Sequence, residues 1–189
     1  MTFNLDFEAI AQQHQTAIDS VFAQSKAIQT AAELMVQTLK NGNKILWCGN
    51  GGSAAEAQHM AAELMVRFVK NRQPLASLAL TNDSSILTAH SNDYDFESVF
   101  ARQVDGLGQK GDFLVGMSTS GKSKNVLNAF AMAHQKGIKT LALIGKQDED
   151  VKAIADMCIK VESEQTARIQ EGHTLINHLI CEILDLAFD

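Results

Sequence analysis

His59 and Glu63 stand four residues apart in AQHMAAEL, so on a helix their side chains leave one face within about 6 Å along the axis. An imidazole and a carboxylate at that spacing can share a divalent cation, with zinc favoured by ligand type; a surface hydrogen bond is the simpler use of the pair. Ser118, Thr119, Ser120 and Ser123 place four hydroxyls within the six residues STSGKS, between an apolar run and a helical stretch. Free backbone N–H groups and the helix dipole favour an anion at such a junction, so the segment reads as a phosphate or sugar-phosphate cradle. A capped turn with spare hydroxyls is the plain alternative. Gln170, His173 and His178 fall in ARIQEGHTLINH beside the stripe Ile169, Ile176, Ile180, Ile183 and Leu184, so an adjacent histidine reads as a satisfied core residue or a helix-packing contact. A regular helix separates Gln170 from His178 by about 12 Å. The two share one metal only if the helix starts late or distorts near Gly172, or if neighbouring chains complete the site. Spacing alone pairs Gln170 with His173.

These residues need a scaffold, and the stretch from Lys44 to Phe68 supplies its first unit. Ile45, Leu46, Trp47 and Cys48 read as a buried strand, Gly49, Gly51 and Gly52 as a sharp turn, Ser53 as an N-cap, and the alanine-rich run that follows as a helix. Ahead of it, residues 3 to 40 carry apolar side chains at helical spacing and predict two helices, stopped by Asn41 and Gly42. They either cover the sheet or pack on another copy of the chain. Downstream, strands are expected at Leu75–Leu80, Phe113–Met117, Thr140–Ile144 and Met157–Val161. Helices are expected over 84–90, interrupted at Ser91, Asn92 and Asp93, from Phe96 to Val104 with Gly106 and Gly108 closing it, and over 124–135 and 167–188. This alternation predicts an α/β chain with a parallel sheet covered on both faces. Such sheets bind ligands beyond the carboxyl ends of their strands, and here those ends carry GNGGS, TNDSS, STSGKS and GKQDE.

Composition narrows the field. The chain has 189 residues, one proline and no low-complexity segment, which fits a single domain over 1–189. A net charge of −6 argues against nonspecific nucleic-acid binding. The start MTFNLDFEAIAQQHQ has no basic, apolar leader, and no run reaches membrane-span length, so the expected address is cytoplasmic. Cys48, Cys158 and Cys181 lie in apolar segments without CxxC spacing and read as buried thiols. GMSTSGKS, from Gly116 to Ser123, fits GxxxxGK[ST] by letter, but Gly116 falls inside the expected strand Phe113–Met117, and GNGGS, with Ala54 in the third glycine position, is a turn common to many α/β proteins, so neither a nucleotide triphosphatase nor a Rossmann cofactor site is expected.

Taken together, GNGGSAAEAQHMAAEL, SNDYDF, STSGKS and ARIQEGHTLINH resemble the phosphoheptose isomerases, which have the sugar isomerase (SIS) fold. The resemblance implies a three-layer α/β/α sandwich of flavodoxin-like or Rossmann-like form. Its central five-stranded parallel sheet is joined by N-terminal helices over 1–42 that serve sheet cover and oligomer packing. It implies an aldose–ketose isomerase acting on sedoheptulose 7-phosphate to give D-glycero-D-manno-heptose 7-phosphate, for ADP- or GDP-heptose precursors of lipopolysaccharide and other surface glycans. It implies one zinc per subunit and a homotetramer with sites at subunit contacts. By motif position the metal ligands are His59, Glu63, Gln170 and His178, with Glu63 the base and His178 the acid. Substrate is held by Asn50, Gly51, Gly52, Ser53, Glu63, Asn92, Asp93, Ser118, Thr119, Ser120, Ser123 and Gln170, with Arg67 a further basic candidate. Glu56 stands where many members have Asp, and Ala167 where some relatives are acidic. The chain also resembles the non-enzymatic DnaA initiator-associating protein in its CGNG, AQH and RIQE segments. That regulator lacks the acid at Glu63, the histidine at His178 and the STSG loop, all present here. A SIS-domain sensor that binds a sugar phosphate without turnover is the third class.

Overall fold

Alternation of side chains along the strands decides the layers. In the computed structural model, which describes residues 3–147 and 149–189 with Glu149 by its backbone alone, five parallel strands run in the order β2-β1-β3-β4-β5. They are β1 (Ile45–Gly49), β2 (Ser77–Ala79), β3 (Phe113–Ser118), β4 (Lys139–Ile144) and β5 (Met157–Lys160). Ile45, Trp47, Phe113, Val115, Met117, Leu141 and Leu143 point to one face, where they bury against α1 (Phe7–Phe22), α2 (Ser25–Lys40), α3 (Gly52–Met65) and α8 (Thr166–Ala187). Leu46, Cys48, Leu114, Ala142 and Ile144 point to the other, against α5 (Val99–Leu107) and α6 (Lys124–Gln135). Two apolar layers around one sheet give the three-layer α/β/α sandwich expected from the sequence. Cys48 and Cys181 are buried, and burial pushes both thiols up to about 12.

Several expected boundaries move. The second strand shrinks from Leu75–Leu80 to Ser77–Ala79. α4 (Ser84–Asp93) is not interrupted at Ser91, Asn92 and Asp93: Asp83 caps its start by accepting from the Ile86 N–H, and the Ser91 hydroxyl donates to the Leu87 carbonyl within the helix. α5 begins at Val99 rather than Phe96, because Asp95 accepts the Ser98 N–H in a preceding turn, and Gly106 lies inside it. Gly51, at φ 56°, is the N-cap of α3 in place of Ser53, whose side chain is buried in the first turn. A short α7 (Glu149–Lys152) begins at the last residue of GKQDE, whose Asp148 lies outside the described residues. Among the described residues no helix is long and apolar enough to cross a membrane.

The strand order reverses direction between β1 and β3, which pair from Ile45↔Phe113 to Gly49↔Met117. Ligands of open parallel sheets enter at such a switch point. The loops that leave these two strands are GNGGS and STSGKS. The short β2 is tied to β1 by more than its ladder: the buried Trp47 indole N–H donates to the Ser77 hydroxyl at 2.9 Å. Replacing Ser77 by Ala leaves that indole N–H buried without an acceptor, so Ser77→Ala is expected to lower unfolding free energy by about 1–3 kcal/mol. Urea denaturation followed by Trp47 fluorescence measures the loss, and an unchanged midpoint refutes it.

Candidate active site

The two loops at the switch point are stitched together by an amide pair. Asn50 Nδ2 donates to Asn125 Oδ1 at 2.9 Å, and Asn125 Nδ2 returns a bond to Asn50 Oδ1 at 2.8 Å. Asn125 sits in the first turn of α6, is buried, and carries no motif that would have singled it out. In the second loop the Ser118 and Ser123 hydroxyls lie 2.9 Å apart, and Ser120 Oγ accepts the Lys122 N–H at 3.2 Å. Ser120 and Lys122 line a cavity of about 470 Å³ with Lys146, which brings two cations to the hydroxyl loop. Thr119 faces a neighbouring cavity of about 270 Å³, again beside Lys146. The hydroxyls and backbone N–H groups of the loop suit an anion, while Asp150 and Glu164 line the same cavity as the lysines and Glu164 stands 3.5 Å from Lys146.

A third cavity, about 370 Å³, opens between the N-terminus of α3 and the first turns of α8; Gly52, Ser53, Glu56, Gln170, His173 and Thr174 are among its lining residues. The Gln170 amide lies directly over Gly52, where an added Cβ would collide with Gln170 Nε2. Glu56 reaches across from α3 to α8, accepting from Asn177 Nδ2 at 2.9 Å and from the Thr174 hydroxyl at 3.0 Å. Sequence reading noted Glu56 only as a departure from the family pattern and passed over Thr174 and Asn177. His173 resolves toward the core rather than a ligand position: it is 1% exposed, and neither ring nitrogen has a hydrogen-bond partner.

Further along α3, His59 and Glu63 do meet, with Nε2 to Oε1 at 3.1 Å. His59 Nδ1 also stands 3.6 Å from Glu56 Oε2. His178 comes from α8 to set its ring edge against His59, centroids 5.2 Å apart and planes at 88°, and Phe68 packs on its other side at 5.5 Å. Glu63, His59 and His178 therefore form one cluster, whereas Gln170 belongs to the cavity over Gly52. α8 runs unbroken from Thr166 through Gly172, where a Cβ would come within 2.6 Å of Val161 Cγ2; close packing, not a bend, explains that glycine. Neither a late start nor a distortion of α8 brings Gln170 and His178 together in one chain. Among the described residues no group of three or more His, Cys, Asp or Glu side chains is arranged to hold a metal ion. Two imidazoles and a carboxylate suit zinc by type, and His59 touches both Glu63 and His178. Arg67 is exposed, its guanidinium resting on the Phe68 and Val69 carbonyls at 3.4 and 3.5 Å. Asn92 and Asp93 close α4 and bond to each other, Nδ2 to Oδ1 at 2.9 Å, without lining the cavity over Gly52.

The relation to known proteins follows the same residues. A SIS-domain family model matches residues 9–145. The phosphoheptose isomerase of Nitratiruptor sp. is 51% identical over 177 residues, 93% of this chain and 95% of that protein. The chain belongs to the phosphoheptose isomerase family. The structure of phosphoheptose isomerase GmhA from Neisseria gonorrhoeae matches it with a TM-score of 0.88 at 43% identity, over 95% of this chain and 96% of that one. A phosphoheptose isomerase from Francisella tularensis gives a TM-score of 0.90 at 39% identity, covering 95% of each. Membership in the family accounts for the sandwich, the five-stranded parallel sheet and the order of the motifs.

Burial holds the His173 pKa down at about 4, against the weaker opposing pull of Glu56 and of the Ile144 carbonyl, which is near the ring but outside hydrogen-bond geometry. In the unfolded chain the imidazole takes a proton near pH 6.5, while in the fold it stays neutral until about pH 4. The unfolded state thus binds more protons across that window, and stability falls as the pH drops through it, by about 3 kcal/mol in all. The carboxyls of Asp112 and Asp185, held below their ordinary values, act at lower pH still. Urea midpoints between pH 7 and pH 4 should decline in the parent and flatten in His173→Gln; parallel declines contradict this assignment.

Proposed function

We propose that the chain interconverts sedoheptulose 7-phosphate and D-glycero-D-manno-heptose 7-phosphate by proton transfer through an enediolate. Its relatives are named phosphoheptose isomerases, and the observation that carries the chemistry is the contact of Glu63 with His59 and of His59 with His178. Aldose–ketose isomerisation needs a base for the proton on the carbon beside the carbonyl and an acid for the carbonyl oxygen. Glu63 takes the C1 proton of the ketose while His178 protonates the C2 oxygen. Glu63 then returns a proton to C2, and His178 accepts the one leaving the C1 hydroxyl, so the aldose forms with both groups restored. Asn50, Gly51, Gly52, Ser53, Gln170, Asn92 and Asp93 orient the polyol chain, and Ser118, Thr119, Ser120 and Ser123, with Lys122 and Lys146 beside them, grip the phosphate. Held by His59, Glu63, Gln170 and His178, a zinc ion would supply Lewis-acid stabilisation of the developing oxyanion.

In one chain Gln170 is set apart from Glu63 and His178, although Glu56, which lines the cavity over Gly52, stands 3.6 Å from His59. Glu63 lies eleven positions after Gly52 on α3, about 16 Å of helix. His59 is exposed, as are the apolar side chains of Met65, Val66 and Val69 at and after the end of α3, and Phe3, Leu5, Phe7 and Phe22 are exposed on and before α1. A homotetramer that covers these surfaces and completes each site from neighbouring chains accounts for both features. A cytoplasmic address belongs to the same reading. Retention of Glu63 and His178 favours turnover over a non-enzymatic SIS-domain role in replication initiation or sugar-phosphate sensing.

Incubation of the purified protein with sedoheptulose 7-phosphate should yield the aldose phosphate. Glu63→Gln should reduce kcat by about 100-fold or more with the melting temperature nearly kept. Chelation followed by metal analysis should lower activity together with bound zinc, and zinc should restore it. Absence of aldose product from the metal-loaded protein overturns the reading.

A further inference from the structure

If Glu63 and His178 work as a pair, something must fix α3 against α8, because a displacement of about 1 Å in a catalytic group is costly in rate. The segment between α3 and β2 carries the features of such a device. Asp185, on α8 beyond His178, accepts the backbone N–H groups of Val69 and Lys70 at Oδ2, both at 2.9 Å, and Arg72 Nε at Oδ1, at 2.8 Å. The Arg72 guanidinium turns its remaining nitrogens onto the end of α3, where one donates to the Leu64 carbonyl at 2.9 Å and the other to the Glu63 carbonyl at 3.0 Å. These carbonyls belong to the last turn, which lacks partners within the helix. Phe68, one residue before the pinned Val69, packs on the His178 ring at 5.5 Å and a tilt of 34°. The ion pair is buried, with Arg72 and Asp185 side chains 2% and 5% exposed.

We propose that Arg72 and Asp185 are positioning residues of the isomerase: through the strap Phe68–Arg72 they hold the backbone of Glu63 and the ring of His178 in one fixed relation. The inference rests on the roles given to Glu63 and His178 above. A guanidinium is required rather than any cation, because one planar group must satisfy a carboxylate and two carbonyls in different directions. Neither residue lines the cavity over Gly52 or the cavities beside Ser118–Ser123, so loosening the strap acts on proton transfer and leaves binding of the phosphate in place.

The test compares Arg72→Lys, Asp185→Asn and the milder Phe68→Leu with Phe130→Leu, a core change on the opposite face of the sheet. Each is assayed well below its own melting temperature. In the strap variants kcat should fall about tenfold or more while KM stays within about threefold, and Phe130→Leu should keep its kcat at a comparable loss of melting temperature. The imidazole resonances of His178, followed by NMR in the same proteins, should shift in the strap variants and not in Phe130→Leu. Strap variants that keep kcat and the His178 resonance, or that raise KM alone, overturn the proposal. Should the parent protein fail to turn over sedoheptulose 7-phosphate, the isomerase reading falls, and an unmoved His178 resonance then rejects the strap separately.

Discussion

The approach of α3 to α8 is the contact on which the site depends. α3 starts where β1 ends, at the switch point of the sheet, and every group it carries is placed by how closely it lies along α8. Gly52 permits the Gln170 amide to lie over the first turn, Glu56 bonds across to Thr174 and Asn177, and His59 meets His178 further down. Polar contacts recur along an interface otherwise filled by Ala57, Met60, Ala61, Leu64, Ile176, Ile180 and Leu184. The apolar contacts supply most of the association, and the polar ones fix its register.

Much of this was legible in the sequence, for reasons that differ by element. Buried parallel strands are continuous apolar runs, so β1, β3 and β4 could be located to within a residue or so, whereas β2 is an edge strand whose three residues lie within a longer apolar stretch. Asn92 and Asp93 looked like helix breakers, yet capping by Asp83 and the internal bond of Ser91 carry α4 through to Asp93. The pairing of His59 with Glu63 follows from helical periodicity alone, and their proximity to His178 does not, since it depends on long-range packing of α3 and α8. For the same reason Asn125, Thr174 and Asn177 carried no signal: isolated polar residues in helices acquire a role only through a partner more than 70 positions away.

The geometry also separates what motif order runs together. Gln170 and His178 lie on one regular helix with two turns between them, and the hydroxyl loop and Glu63 stand at different ends of α3. A single chain therefore presents a binding mouth at the switch point between β1 and β3 and a proton-transfer cluster further along α3 and α8.

The central claim is that Glu63 moves a carbon-bound proton, and solvent isotope reports on that event directly. With sedoheptulose 7-phosphate in D₂O, prolonged incubation should place deuterium at C2 of the aldose product, read by proton NMR, and Glu63→Gln should leave both sugars unlabelled. Deuterium incorporation by Glu63→Gln at the parent rate contradicts the account.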